Sequence, residues 1–166
     1  AASDVYKRQA LYHDLTELKA IERALKIKNE LMSRQLILAG EIQTSFLPKP
    51  LPECEGWQIS AKLKPALETS GDFYDIRVLP NGNIIFLIAD VIDKGVGAAL
   101  FMSLCWSLLR LFGNTYPNQP ALLFEKINQY ILTETRIEQF VTVFYGVLNP
   151  QTGEMVFSNA GHCPMY

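Results

Sequence analysis

Three closely spaced prolines, Pro48, Pro50 and Pro52, divide this chain into two parts with different sequence patterns. Proline lacks the amide donor that a helix needs and restricts the residue before it, so a helix cannot continue through this segment. Residues 10–46 contain no proline, whereas the residues after Pro52 form apolar, β-branched runs separated by turn signals. We therefore expect a helical linker over residues 1–46 and a folded domain over residues 47–166.

The helical part carries a heptad pattern. Two series of positions recur every seven residues, one of them apolar and the other mixed: Leu11, Leu18, Leu25, Met32 and Ala39, and Leu15, Glu22, Asn29, Leu36 and Gln43. This pattern favours a parallel two-stranded coiled coil, hence a homodimer, in which Asn29 fixes the register. A single amphipathic helix packed on the following domain is the alternative, because the second series is partly polar.

The second part predicts an α+β layered domain with an antiparallel sheet. Strands are expected at residues 57–64, 72–79, 84–91, 140–148 and 155–159, and helices at 95–112 and 120–135. The strands are joined by hairpin-length turns, which favours antiparallel pairing.

One of these hairpins brings two carboxylates together. The loop Pro80-Asn81-Gly82 suits a three-residue connection, a type I turn closed by a left-handed glycine. This register places Tyr74 opposite Ile88 and Asp72 opposite Asp90, whereas a two-residue loop would send the two aspartates to opposite faces.

Facing carboxylates roughly 5 Å apart between their β-carbons repel one another. Either one carboxyl is protonated or a cation lies between them. Oxygen ligands without nearby His or Cys suit Mg²⁺ or Mn²⁺ and disfavour zinc. The structural alternative is that the register differs and both aspartates are strand-end caps or solvated.

A glycine-bearing turn, Asp93-Lys94-Gly95-Val96-Gly97, directly follows the strand that ends near Asp90. Such a strand-to-helix turn directs backbone amides at the strand end, where phosphate can bind, and Lys94 adds positive charge. The motif is common, so it gains its value only from adjoining the carboxylate pair.

Composition excludes several other functions. The net charge of −2 leaves no basic surplus for nucleic acid. The three cysteines form no C-x-x-C pair, so neither a disulfide framework nor a cysteine zinc site is expected, which fits a cytoplasmic protein. The opening residues do not match a signal peptide, and the uncharged stretch 95–109 falls short of the roughly 20 residues of a membrane span.

Several motifs together resemble a known family. Ser70-Gly71-Asp72-Phe73-Tyr74-Asp75 and Ala89-Asp90-Val91-Ile92-Asp93-Lys94-Gly95, followed by Asn159-Ala160-Gly161-His162, are similar to the SpoIIE/RsbU-type serine phosphatases. These are bacterial members of the metal-dependent PP2C-like (PPM) phosphatases. The resemblance covers essentially everything after the heptad helix.

The resemblance implies a two-sheet antiparallel sandwich flanked by helices and holding two Mn²⁺ or Mg²⁺ ions. Asp90 would bridge both metals, the Val91 carbonyl would complete one coordination sphere, and Asp72 would be an acidic metal-site residue. The usual substrate of the family is a phosphorylated STAS-type anti-sigma-factor antagonist, and an upstream sensor domain commonly controls the enzyme. The heptad helix would then be the input linker.

The chain departs from the family pattern where Ser70, Ala89 and Asp93 replace usual glycines. The later Asp-Gly motif and last aspartate of the family do not occur before Tyr166, so we expect a binuclear site that is incomplete in this chain and a C-terminally truncated domain. A non-catalytic regulatory module of the same fold is therefore the alternative function.

Two further alternatives receive less weight. Ser70-Gly71-Asp72-Phe73 is superficially similar to the Gly-Gly-Asp-Glu-Phe signature of diguanylate cyclases. That signature needs an acidic residue where Phe73 stands and has its glycines at a hairpin tip, whereas the tip here, at Pro80, lies eight residues from Asp72. His162 follows a strand, where a histidine is more often a hydrogen-bonding turn residue than a ligand or general acid.

Overall fold

The chain forms an α+β structure, as predicted from the pattern of its elements. The structure, a computed structural model, describes residues 2–136 and 138–163. Its contacts divide into two compact units, Ala1–Leu38 and Ala39–Tyr166. The described residues form three helices and one four-stranded sheet in the order α1, β1, β2, α2, α3, β3, β4.

Helix α1 spans Ala2–Phe46 and ends two residues before Pro48, where the proline argument places its end. It begins earlier than the heptad pattern, which starts at Leu11, whose side chain lies outside the described residues. The apolar heptad side chains of the first unit are exposed: Leu18 by 61%, Leu25 by 55% and Met32 by 58%.

Four antiparallel strands form one sheet with the order β1-β2-β3-β4. The strands are β1 (Phe73–Val78), β2 (Ile84–Val91), β3 (Val141–Leu148) and β4 (Met155–Ala160). The expected strand at residues 57–64 is wrong: in this segment the structure has only an isolated bridge between Cys54 and Trp57.

Two helices cover one face of the sheet. Helix α2 spans Val96–Thr115, and α3 spans Pro120–Glu134 with proline in its first turn, a position that needs no amide donor. Their apolar side chains pack with those of β2 and β3 in one core, which includes Leu87, Phe101, Leu109, Leu123 and Tyr145.

Helix α2 is the one helix in the described part of the chain that is long and apolar enough to cross a membrane. Buried helices of globular domains have the same composition, and α2 contributes Phe101, Met102 and Cys105 to the core. Its composition therefore does not indicate a membrane protein.

The other face of the sheet is apolar and partly open. Val78 is 50% exposed, Ile88 37% and Phe157 57%, and all three lie on this face by the strand register. A sheet face of this composition is typical of a layer that packs on another layer. The described residues thus contain one sheet of the two-sheet sandwich that the family resemblance implies, a partial form of that fold.

A buried ion pair joins β1 to α2. Asp75 has no exposed surface, and Arg110 donates to both of its carboxylate oxygens, from Nε at 2.9 Å and from Nη2 at 2.7 Å. The Arg110 guanidinium also lies 4.4 Å from the centre of the Trp106 ring. Because a buried carboxylate is stable only when paired and hydrogen-bonded, this pair fixes how α2 packs on the sheet.

Candidate functional site

The hairpin between β1 and β2 has the loop that the sequence predicts. The Gly82 amide donates to the Leu79 carbonyl at 2.9 Å, the Leu79 amide donates to the Asn83 carbonyl at 2.7 Å, and Gly82 has a φ of 84°. This is the three-residue connection with a left-handed glycine. Tyr74 consequently lies opposite Ile88, as expected.

The same register brings Asp72 and Asp90 together. Strand β1 begins at Phe73, opposite Ala89, but the ladder continues because the Val91 amide donates to the Gly71 carbonyl at 3.4 Å. Asp72 therefore faces Asp90 on the sheet face away from α2, and the two carboxyl groups are within hydrogen-bonding reach.

Glycine is required at position 71 for this approach of the two strands. A β-carbon at Gly71 would lie 2.9 Å from the Val91 carbonyl oxygen and 3.3 Å from the Val91 β-carbon. Val91, the predicted backbone ligand, thus has its carbonyl oxygen beside the segment that carries Asp72, while its side chain is buried in the core.

The electrostatics of the pair match the repulsion argument. Burial raises the pKa of Asp72, and the hydrogen bond to Asp90 and the charge of Asp90 raise it further. Lys94, and His162 when it carries a proton, act in the opposite direction. Asp72 therefore holds its proton more tightly than an ordinary aspartate unless a cation offsets the neighbouring charge.

A cleft of about 70 Å³ adjoins the two aspartates and is lined by Asp72, Asp90, Asp93 and Lys94, among others. Asp93 has a φ of 73°, in the left-handed region, and Gly95 has a φ of 81° directly before α2. The two predicted phosphate-binding residues, Lys94 and Gly95, thus lie in the turn between Asp90 and α2.

Two neighbours of the site were not predicted from the sequence. Thr142 lies opposite Asp90 on β3, and its hydroxyl is 3.5 Å from the Asp90 carbonyl oxygen and 2.9 Å from His162 Nδ1. His162 also forms the expected turn, in which its amide donates to Asn159 Oδ1 at 2.8 Å. When protonated, His162 also lowers the pKa of Asp72, so the turn histidine borders the carboxylate pair.

The donor atoms suit a hard divalent cation, because carboxylate and carbonyl oxygens are the ligands that Mg²⁺ and Mn²⁺ prefer. Within residues 2–136 and 138–163, however, no three His, Cys, Asp or Glu side chains are grouped closely enough to hold a metal ion. The described residues thus supply part of a coordination shell.

The fold and the site define an α+β domain with facing carboxylates at the end of an antiparallel hairpin. The chain belongs to the SpoIIE family: residues 80–166 match the sequence model of the family described as Stage II sporulation protein E (SpoIIE). This confirms the family identified from the motifs.

Two characterised relatives extend the comparison. Protein IcfG of Synechocystis sp. is 36% identical over 169 aligned positions, which cover 86% of this chain and 27% of IcfG. The phosphoserine phosphatase RsbU of Bacillus subtilis is 28% identical over 156 positions, which cover 92% of this chain and 43% of RsbU. The chain thus spans less than half the length of either relative.

Replacing Asp72 by asparagine is expected to stabilise the metal-free protein at neutral pH. Because the folded-state pKa of Asp72 is raised, its ionisation is disfavoured in the folded state, and stability is lost as pH rises through that pKa. The neutral amide removes this loss of stability. The gain in unfolding free energy should be at most about 1 kcal/mol, because solvent screens the charge of this largely exposed side chain.

Thermal unfolding in the presence of a chelator measures this effect, with the exposed Asp14→Asn as the matched control. The gain should appear at neutral pH and vanish below pH 3.8, the ordinary pKa of the side chain. An equal gain at both pH values would show that charge repulsion is not its cause.

Proposed function

We propose that the protein is a metal-dependent protein serine/threonine phosphatase. The observation that carries this proposal is the pairing of Asp72 with Asp90 on one sheet face beside a cleft. The membership in the SpoIIE family and the similarity to a phosphoserine phosphatase support it.

In this proposal, Asp90 and Asp72 are the metal-site residues, together with the backbone carbonyl of Val91. Bound Mn²⁺ or Mg²⁺ would acidify a water molecule and offset the charge of the phosphoryl group. The pKa of Asp72 is raised first by burial and then by the neighbouring Asp90, and a bound cation would offset both effects by favouring the ionised carboxyl.

Lys94 and Gly95 are proposed to bind the phosphoryl group. Lys94 lines the cleft and its charge lowers the pKa of Asp72, which supports a role for Lys94 close to the carboxylate pair. The first helical hydrogen bond of α2 runs from the Ala99 amide to the Gly95 carbonyl, so the amides of the preceding helical residues have no acceptor within the helix. Amides of this kind commonly bind anions.

The substrate class is proposed to be a phosphoserine or phosphothreonine in a STAS-type anti-sigma-factor antagonist. The similarity to RsbU, a phosphoserine phosphatase, supports the phosphoserine part, and the family supports a role in bacterial signal transduction. Such a substrate would place the protein in the cytoplasm, with an upstream sensor domain as its input.

We further propose that residues 1–46 form a linker that dimerises as a coiled coil. The exposed side chains of Leu18, Leu25 and Met32 recur every seven residues, which suits a second copy of the same helix. Residues 47–166 would be the N-terminal portion of the phosphatase domain.

A second function is favoured by one observation. In the described residues, no group of three metal-ligating side chains occurs, which fits a non-catalytic module that acts through dimerisation and protein binding. The two functions differ in whether metal-dependent turnover is present in the full-length protein.

The test is release of phosphate from a phosphoserine protein by the full-length protein with and without Mn²⁺. Activity is expected with Mn²⁺, should disappear with a chelator and should return when the metal is restored. Metal-independent turnover would contradict the mechanism. Binding of the phosphoprotein without turnover would favour the regulatory module.

A further inference from the structure

Gln43 makes a paired backbone contact at the end of α1. Its side chain lies in the second compact unit, three residues before the helix ends at Phe46, and is only 8% exposed. The Ser70 amide donates to Gln43 Oε1 at 3.0 Å, and Gln43 Nε2 donates to the Ser70 carbonyl at 2.9 Å. The carboxamide therefore satisfies both backbone groups of Ser70, as a neighbouring strand would.

The same side chain also reaches α2. Gln43 Nε2 donates to the Ala99 carbonyl at 3.2 Å and lies 3.5 Å from Met102 Sδ, both in buried surroundings. One amide group thus joins α1, the segment before β1 and α2. Loss of this group would leave the part-buried amide and carbonyl of Ser70 without these partners, at a cost of up to about 1–3 kcal/mol for each group. The Ala99 carbonyl would still accept a hydrogen bond from the Ser103 hydroxyl at 2.9 Å.

The segment that Gln43 holds leads directly to the carboxylate pair. Ser70 lies two residues before Asp72, and its hydroxyl accepts a hydrogen bond from the Asp72 amide at 3.0 Å. Gly71 lies just before β1, and the hydrogen bond that its carbonyl accepts from the Val91 amide is long, at 3.4 Å. A single long hydrogen bond holds an extended segment weakly. The two hydrogen bonds between Gln43 and Ser70 therefore contribute most to holding the segment in place.

An independent observation comes from Gly40, which lies one turn before Gln43 on α1. A β-carbon at this position would lie 1.9 Å from the Glu68 carbonyl oxygen. Glycine in a helix interior costs about 1 kcal/mol relative to alanine. Here it permits the close contact between the helix and residues 68–70 that the Gln43 bonds require.

We propose that Gln43 is a positioning residue that holds the 70–72 segment in register, so that Asp72 faces Asp90 and the pair binds a divalent cation. The cation part rests on the proposed function, whereas the positioning part does not. Among the described residues, the side chain of Gln43 forms hydrogen bonds with Ser70, Ala99 and Met102 and with neither carboxylate, so it acts through the Ser70 backbone.

The test compares Gln43→Leu and Gln43→Glu in the full-length protein with Gln129→Leu and Gln129→Glu on the exposed surface of α3. The first readout is amide hydrogen exchange at Ser70 and Val91. Exchange should be faster at both amides in Gln43→Leu, and at Ser70 less so in Gln43→Glu, because the glutamate keeps the acceptor for the Ser70 amide.

The second readout is the affinity for Mn²⁺ alone, measured by calorimetry. We expect Gln43→Leu to weaken the Mn²⁺ affinity by about 10–100-fold, the usual effect of replacing a residue that orients metal ligands. Excess Mn²⁺ should then restore turnover. Gly40→Ala should act in the same direction although alanine favours the helix, and the Gln129 variants should match the parent protein.

Lowered thermal stability with unchanged exchange at Ser70 and unchanged Mn²⁺ affinity would overturn the proposal and leave Gln43 a purely structural residue. If the parent protein binds no Mn²⁺, the proposed function fails, and the exchange data alone then decide the positioning role. Faster exchange at Ser70 would support that role, and unchanged exchange would overturn it.

Discussion

Replacing Asp90 by asparagine is expected to lower Mn²⁺-dependent turnover of a phosphoserine protein by more than about 100-fold. Replacing a residue that only supports a metal ligand already lowers metal affinity or activity by about 10–100-fold, and a ligand itself should matter more. Asp90 lies on β2 between Asp72, which directly precedes β1, and Thr142 on β3, so its carboxylate is the most central oxygen donor of the site. The asparagine keeps the shape of the side chain but loses the charge that offsets a divalent cation.

The measurement is the kcat/KM of the full-length protein at several Mn²⁺ concentrations, with Asp14→Asn on the exposed surface of α1 as the matched control. Asp90→Asn should also lose the thermal stabilisation that Mn²⁺ gives the parent protein, since a ligand stabilises only the state that binds it. Full activity of the asparagine variant would remove Asp90 from the metal site.

Replacing Arg110 by methionine should lower the free energy of unfolding by about 3–5 kcal/mol, because the change leaves a buried carboxylate without its main partner. Asp75 is fully buried, and both of its oxygens accept hydrogen bonds from Arg110. Arg77 cannot take over without movement, since its Nε is 3.6 Å from Asp75 Oδ2, too far for a good hydrogen bond.

Urea denaturation followed by circular dichroism measures this loss. Arg136→Met, at an exposed arginine, is the control and should change stability by no more than about 0.5 kcal/mol. Adding Asp75→Leu to Arg110→Met should restore part of the loss, because no unpaired carboxylate remains. Strictly additive losses in the double variant would show that the two side chains do not stabilise one another.

The hairpin that carries the site was predictable because local chemistry sets its register. Pro80, Asn81 and Gly82 together favour one loop length, and loop length fixes which residues face each other along both strands. The pairing of Asp72 with Asp90 follows from counting outward. The end of α1 was predictable for the same kind of reason, since proline acts on the residues next to it.

The strand expected at residues 57–64 shows the limit of this reasoning. Alternation is present, since Ile59, Ala61 and Leu63 are less exposed than the residues between them. A strand also needs a partner for its backbone groups, and in the described residues this segment pairs only through the bridge between Cys54 and Trp57. Periodicity reports which side chains are buried, and it carries no information about the partner.

The buried polar contacts were beyond prediction from the sequence. Gln43 bonds to Ser70 across 27 positions, and Asp75 pairs with Arg110 across 35. In the heptad pattern Gln43 occupies a core position of the linker helix, where a polar side chain weakens the predicted coiled coil and gives no sign of a contact with the domain. Contacts of this kind depend on how the elements pack, which local propensity does not determine.

The left-handed backbone at Asp93 has a consequence for how this cleft can evolve. Glycine adopts this conformation without strain, and aspartate is among the few other residues that tolerate it. Aspartate and glycine codons differ by a single base, so lineages can add or remove a negative charge beside the cleft in one mutational step without rebuilding the turn. Natural variation at this position would then adjust the electrostatic potential felt by an incoming anion while leaving the backbone path unchanged.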